Sequence, residues 1–276
     1  MTHIVHQYAE KVLAGEIVAG PHVRNQCKRH LADLERDNIY FDEDAADRVI
    51  GFFRDVLRLS EGKFEGIPFH LHISQAFIVG SIFGWKTPDG NRRYRRAYIE
   101  MGKGNGKSPL AGGIGLYGLM ADGEAGAQIY AAAAKKDQAM ILFQDAVKMV
   151  RQSPILEPRV TLSGINPVWN LADLGSGSFF RPISRDSGKS GSGPRPHFAL
   201  CDEVHEHPDR GIMEMLERGF KFREQPLLLM ITNSGSSRTS VCWEEHEHAC
   251  NVSAGDTIDD TTFPYVCALD EGDDPL

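Results

Sequence analysis

Residues Gly102 to Ser108 read Gly-Lys-Gly-Asn-Gly-Lys-Ser, and no other run in the chain constrains its fold as much. A β-prone stretch, Ala97-Tyr98-Ile99-Glu100, leads into it, and a small-residue apolar stretch, Pro109 to Met120, follows. Strand, glycine-rich turn and helix, in that order, are what a phosphate-binding loop requires. Gly102, Gly104 and Gly106, with Asn105 between them, let backbone N–H groups approach phosphate oxygens. The helix N-terminus adds partial positive charge. Lys107 can then reach the β- and γ-phosphates, and Ser108 can ligate Mg²⁺. The full pattern has Gly at position 101, where this chain has Met101. The assignment therefore rests on context and on a second motif.

That motif is His197-Phe198-Ala199-Leu200-Cys201-Asp202-Glu203. An apolar strand delivers two adjacent carboxylates at its C-terminal end, where ligands sit in open α/β sheets. Asp202 is the expected Mg²⁺ ligand, and Glu203 is expected to polarise an attacking water. A third buried run, Leu227 to Ile231, ends in Thr232-Asn233-Ser234, side chains able to sense a γ-phosphate and pass on its loss. Ser187-Gly188-Lys189-Ser190 repeats Gly-Lys-Ser without a preceding strand or a following helix, and reads as loop.

The surrounding pattern alternates strand and helix from Arg95 onward. Strands are predicted over 97–101, 128–134, near 159–162, over 179–183, 197–200 and 226–232. Helices are predicted over 108–120, 137–152, 211–220 and 240–250. Such alternation argues for a mostly parallel sheet covered by helices. Residues 1–60 space apolar side chains at three and four, as in Ala45-Val49-Ile50-Phe53, and predict a helical N-terminal segment or lid. The expected divisions are 1–60, a core over 61–262, and the start of a linker over 263–276.

The 276 residues are 41% hydrophobic and 25% charged, which fits an ordinary globular protein. No apolar run approaches the ~18 residues of a membrane span, and Met1-Thr2-His3 opens no signal peptide. The five cysteines lack framework spacing and read as reduced thiols, so an intracellular location is expected. The net charge of −8 argues against a protein that simply coats nucleic acid. Arg92-Arg93-Tyr94-Arg95-Arg96 and Lys135-Lys136 are the local basic patches, each either a contact to DNA phosphates or a solvated surface. Cys242, His246, His248 and Cys250 do not match a common zinc spacing.

Several ordered motifs resemble a known family. Gln75 in Ile73-Ser74-Gln75, Gly84-Trp85-Lys86, the loop Lys103 to Ser108, Ala133-Ala134 with Gln138-Ala139, and Asp202-Glu203-Val204-His205-Glu206 occur in sequence. Arg223-Glu224-Gln225-Pro226-Leu227, Thr232-Asn233-Ser234-Gly235 and Ala268-Leu269-Asp270-Glu271 follow. The series, over roughly residues 60–276, resembles the large terminase subunit of tailed bacteriophages, of the HK97-like type. The resemblance implies an α/β P-loop NTPase of the additional-strand, catalytic-glutamate type, working as an ATP- and Mg²⁺-dependent packaging motor. It also implies double-stranded DNA, a portal protein and a small terminase subunit as partners, a ring of five copies on the portal, a monomer in isolation, no membrane, and the host cell cytoplasm. A nuclease domain normally follows. The acidic residues Asp270, Glu271, Asp273 and Asp274 match the family's interdomain region, not its nuclease centre.

By the same resemblance, Gln75 would recognise adenine. Lys107 and Ser108 would take phosphate and Mg²⁺, Asp202 and Glu203 would take Mg²⁺ and water, and Thr232 and Asn233 would couple hydrolysis to movement. Lys103 stands where the family usually has Arg, and Lys lacks the planar guanidinium fork. An arginine from a neighbouring copy is expected to stabilise transition-state charge, with Arg195, Arg218 and Arg223 as candidates. A helicase, a small-molecule kinase and a nucleotide-gated assembly module remain the rival readings of the loop itself.

Overall fold

The computed structural model describes residues 2–59, 62–184 and 193–274. The Gly-Lys-Ser repeat at 187–190 lies outside them. Three helices open the chain: α1 (Ile4–Leu13), α2 (Pro21–Asp33) and α3 (Glu43–Gly51). Proline at the first position of α2 costs no hydrogen bond. Asp42 caps α3, accepting from the Ala45 N–H at 2.9 Å. A two-residue strand, β1 (Tyr40–Phe41), pairs antiparallel with β2 (Trp85–Lys86), just past α4 (Ile73–Gly84).

The remaining strands are β3 (Arg96–Glu100), β4 (Gln128–Ala133), β5 (Thr161–Ser163), β6 (Asn170–Asp173), β7 (Ser178–Ser184), β8 (Phe198–Cys201), β9 (Leu227–Thr232) and β10 (Thr262–Val266). Among the described residues they form one sheet in the order β10-β3-β9-β8-β4-β7-β6-β5. The pairings from β10 through β7 are parallel, and β6 and β5 add an antiparallel edge. The parallel part and its helices follow the predicted alternation to within a few residues. β6 and β10 are additions to it. β9 lies between the strand before the phosphate loop and the strand bearing Asp202, so the sheet is of the additional-strand type.

Period-two alternation along the strands divides the core into two layers. Ala97, Ile99, Leu227, Leu229 and Ile231 face a cluster with α1, α4, α5 (Lys107–Met120) and α6 (Lys136–Gln152). Tyr98, Leu228, Met230 and Cys201 face the other side, against α7 (Gly211–Arg218) and α8 (Val241–Ala254). Helix α5 lies close to the sheet because it is glycine-rich. A Cβ on Gly118 would stand 2.4 Å from the Phe198 ring.

Val5, Tyr8 and Val12 of α1 enter the same core as the sheet, as do Val23 of α2 and Val49 of α3, so these helices pack as part of it. The sheet also continues past residue 262, since β10 pairs along its whole length with β3.

The basic run before β3 departs from expectation. Arg92 and Arg93 are neither solvated nor free to meet DNA, being 1% and 2% exposed. Arg92 donates to Asp122 at 3.2 Å and to the Gln225 carbonyl. Arg93 donates to Asp33 at 2.7 Å and Asp260 at 2.8 Å. Arg96 is taken by Glu217 and by Glu245. Carboxylates distant in sequence pair with Arg92, Arg93 and Arg96, which a local reading could not foresee. Lys135 and Lys136, by contrast, are exposed at the start of α6.

Candidate functional site

The phosphate-type loop joins β3 to α5 at the C-terminal end of the parallel strands. Gly104 and Gly106 take φ of +87° and +70°, which favours glycine at both positions. Gly106 is the N-cap of α5 and offers no side-chain cap, so the first N–H groups of the helix are left for a ligand. Lys107 is nearly buried, at 7% exposure. Its ammonium donates to the carbonyls of Met101 at 2.8 Å and Gly102 at 3.1 Å, and to Asn233 Oδ1 at 2.5 Å. Burial pulls its pKa down, against the pull of Glu203 and Asp202.

Strand β8 delivers Asp202 beside the loop. Ser108 Oγ donates to Asp202 Oδ2 at 3.2 Å, and the Glu203 N–H donates to Asp202 Oδ1 at 2.8 Å. Asp202 is 4% exposed. Burial, and then repulsion from Glu203, push its carboxyl up to about 6. A buried carboxylate beside a serine hydroxyl has the donor chemistry of a hard-cation site, and Mg²⁺ fits it. Among the described residues no group of three or more His, Cys, Asp or Glu side chains is gathered for a metal. Such a centre would be completed by phosphate oxygens and water, as is usual for Mg²⁺.

Glu203 has φ +48° and ψ +54°, the only non-glycine residue with positive φ among those described. Strain of this kind, of order 1–3 kcal/mol, persists where surrounding structure imposes it, and it clusters at functional sites. Oε2 of Glu203 is buried without a hydrogen-bond partner. His205 Nδ1 is 3.2 Å away but not aligned to donate to it, and lies 3.1 Å from the Thr232 hydroxyl. His207 donates from Nε2 to the Asp202 carbonyl at 3.0 Å, and burial lowers its pKa. An acceptor oxygen left open beside a cation site is what a water-activating carboxylate needs.

Gln75 stands at the rim of the loop. Its carbonyl oxygen accepts from the His72 N–H at 3.0 Å, and its amide reaches the Asn105 carbonyl at 3.5 Å. Lys103 is exposed on the loop. The loop thus gathers Gln75, Gly102 to Ser108, Asp202, Glu203, Thr232 and Asn233 at one end of the sheet.

The three arginine candidates lie elsewhere. Arg195 and Arg223 precede β8 and β9, and Arg218 ends α7, all at the opposite end of the strands. Arg223 is committed to Glu124 at 2.7 Å and to the Gly126 carbonyl at 2.7 Å. Arg195 covers the Phe222 ring at 4.4 Å. Arg218, with a side chain 78% exposed, meets Glu214 at 3.1 Å. None of the three faces its own phosphate loop.

A group that sequence reasoning missed lies directly behind the loop. Glu100, 4% exposed, accepts from Tyr98 at 2.8 Å, Ser234 at 2.9 Å and His246 at 2.9 Å. His246 and His248 diverge, the latter meeting Asp259 at 3.0 Å. The acidic end of an otherwise apolar strand was the available signal for Glu100.

Comparison with known proteins agrees with this fold. The family described as terminase large subunit, ATPase domain, matches residues 74–251. The large terminase subunit of Enterobacteria phage HK97 is 28% identical over 196 residues, covering 69% of this chain and 37% of that protein. The crystal structure of the HK97 large terminase superposes with a TM-score of 0.69 at 24% identity, over 83% of this chain and 45% of that one. The ATPase domain of the Thermus phage P74-26 large terminase gives 0.52 at 20% identity, over 75% and 86%. The matched region therefore covers less than half of the HK97 protein.

Proposed function

The chain belongs to the family of terminase large-subunit ATPase domains, and we propose that it binds ATP with Mg²⁺ and hydrolyses it to drive double-stranded DNA into a viral procapsid. The observation that carries the catalytic part is the pairing of buried Asp202 with Ser108, with Glu203 turned beside them in a left-handed backbone conformation.

In this reading the loop amides and Lys107 hold the phosphates, and Gln75 contacts adenine. Ser108 and Asp202 hold Mg²⁺, which when bound neutralises phosphate charge. Glu203 accepts a proton from, and orients, the attacking water. Thr232 and Asn233 sense the γ-phosphate, and Lys103 adds a cationic contact from the exposed arm of the loop. Arg195 and Arg218 are the exposed members of the three arginines proposed to act on a neighbouring copy in a ring. The ring, the portal and the small subunit as partners, and the host cytoplasm as location, belong to the same proposal.

Glu203→Gln tests the assignment. Binding of Mg·ATP is expected to persist within about threefold, while steady-state hydrolysis falls ~10²-fold or more, the range for loss of a general base. Turnover equal to that of the parent protein would overturn it.

A further inference from the structure

Behind the phosphate loop, four elements meet at one carboxylate. Glu100 ends β3, immediately before the loop. Its backbone carbonyl takes the Cys267 N–H at 2.9 Å, past the end of β10. Its Oε1 takes Ser234 Oγ, one residue beyond the Asn233 that holds Lys107. Its Oε2 takes Nδ1–H of His246, on α8. A cavity of about 430 Å³ opens over this group, lined among others by Ser234, Trp243, His246 and Cys267. The His246 ring stacks on Trp243, with centroids 5.0 Å apart and planes at 21°.

Burying a carboxylate costs several kcal/mol unless it is paired and fully hydrogen-bonded. An apolar side chain would close the space at lower cost. What the carboxylate adds is a bond from the strand end after Asn233 to a helix on the other face of the sheet.

We propose that His246 is a positioning residue for ATP hydrolysis: through Glu100 and Ser234 it holds the Thr232–Asn233 strand end in register with the phosphate loop, so that α8 moves with the sensor. The inference rests on the function proposed above. His246 is held protonated, its pKa pushed up to about 10 by the Cys250 thiol and by Glu100. The other titratable groups around it are His22 of α2, with ring centroids 6.3 Å apart, and Cys267 beyond β10, across the cavity. Burial lowers the pKa of His22, so the local charge balance is that of His246 with Glu100.

The test uses His246→Ala, His246→Gln and Ser234→Ala in the full chain. Hydrolysis by His246→Ala and Ser234→Ala is expected to fall about tenfold in kcat with KM within about twofold, and His246→Gln, which keeps an N–H donor, to recover most of the loss. A second readout needs no turnover. The emission of Trp243, isolated as the component lost in Trp243→Phe, is expected to change when a slowly hydrolysed ATP analogue binds with Mg²⁺. That change should vanish in His246→Ala and in Ser234→Ala. If kcat in both variants stays within twofold of the parent, or if the emission change is intact in both, the proposal is overturned. Normal turnover in Glu203→Gln would instead overturn the underlying function, while the emission readout would still decide the link.

Discussion

The ammonium of Lys107 donates to Asn233 Oδ1 at 2.5 Å, so the lysine of the phosphate loop is held by the end of β9. With all three N–H donors engaged, a phosphate oxygen in the loop must displace at least one of this contact and those to the Met101 and Gly102 carbonyls. Lysine departure then frees the Asn233 amide. In the proposed function, binding and sensing would be one exchange of partners.

Asn233→Ala removes one competitor for Lys107. Affinity for a slowly hydrolysed ATP analogue should stay equal or tighten by about two- to fivefold, in line with loss of one hydrogen bond of ~0.5–1 kcal/mol. Hydrolysis should fall at least tenfold. Titration calorimetry beside a phosphate-release assay separates the two, and weakened binding with normal turnover would contradict the exchange.

Asp202 carries a second expectation. Its folded-state pKa, about 6, exceeds the unfolded value of 3.8. The folded protein therefore holds a proton that the unfolded chain has released, and stability is lost as pH rises from 3.8 through 6. Asp202→Asn should stabilise the metal-free protein at pH 7 by roughly 1–3 kcal/mol while abolishing Mg²⁺-dependent turnover. Urea unfolding at pH 7 and pH 4 measures it; the gain should shrink at the lower pH.

The N-terminal histidines set an acid limit. Trp85 Nε1–H donates to His30 Nδ1 at 3.0 Å, which leaves the His30 hydrogen on Nε2, facing His6 Nδ1 at 2.8 Å. Burial takes His30 down to about 3 and lowers His6 as well. The unfolded chain takes up protons below pH 6.5 and the folded one does not, so stability falls between pH 6.5 and about 3. The slope is up to ~1.4 kcal/mol per pH unit for each such group. An imidazole NMR titration of His30 near its ordinary value in the folded protein would refute this.

Arg93→Ala should cost about 1.5–3 kcal/mol, the range for losing hydrogen bonds to charged groups, because it takes one guanidinium from buried Asp33 and from Asp260 while both keep Arg36. The signature is a lowered urea midpoint. A DNA-contact role predicts instead an unchanged midpoint and weaker DNA binding. Lys135→Ala with Lys136→Ala should leave the midpoint within about 0.5 kcal/mol, as exposed positions do.

The phosphate loop and the Asp202-Glu203 pair were legible because their chemistry is local: a few neighbouring residues determine turn, helix start and charge. Arg92 and Arg93 were misread because their partners lie far along the chain, Asp260 being 167 residues from Arg93. β10 escaped notice for a local reason. Pro264 lies inside it, and proline removes a donor that an interior strand would need. Here the strand is at the edge, and the loss is harmless. The turned backbone of Glu203 has no residue-type signature, since a carboxylate is not what a positive φ selects. The Glu100–Ser234–His246 group needs three strand ends and a helix brought together, which no window of sequence contains.

The two borders of the sheet are unlike. Along β10, the Thr262 carbonyl accepts from Arg29 at 3.0 Å, Tyr265 bonds Tyr8 at 2.7 Å, and Pro264 offers no N–H. Helix α2, with Tyr8 of α1, thus covers that border. The other border is three residues of β5. Copies joined head to tail by sheet continuation need two open borders each, and among the described residues β10 is covered, leaving the β5 border. A closed ring of such domains would then be built through side-chain faces, and each sheet's backbone ladder would end within its own copy.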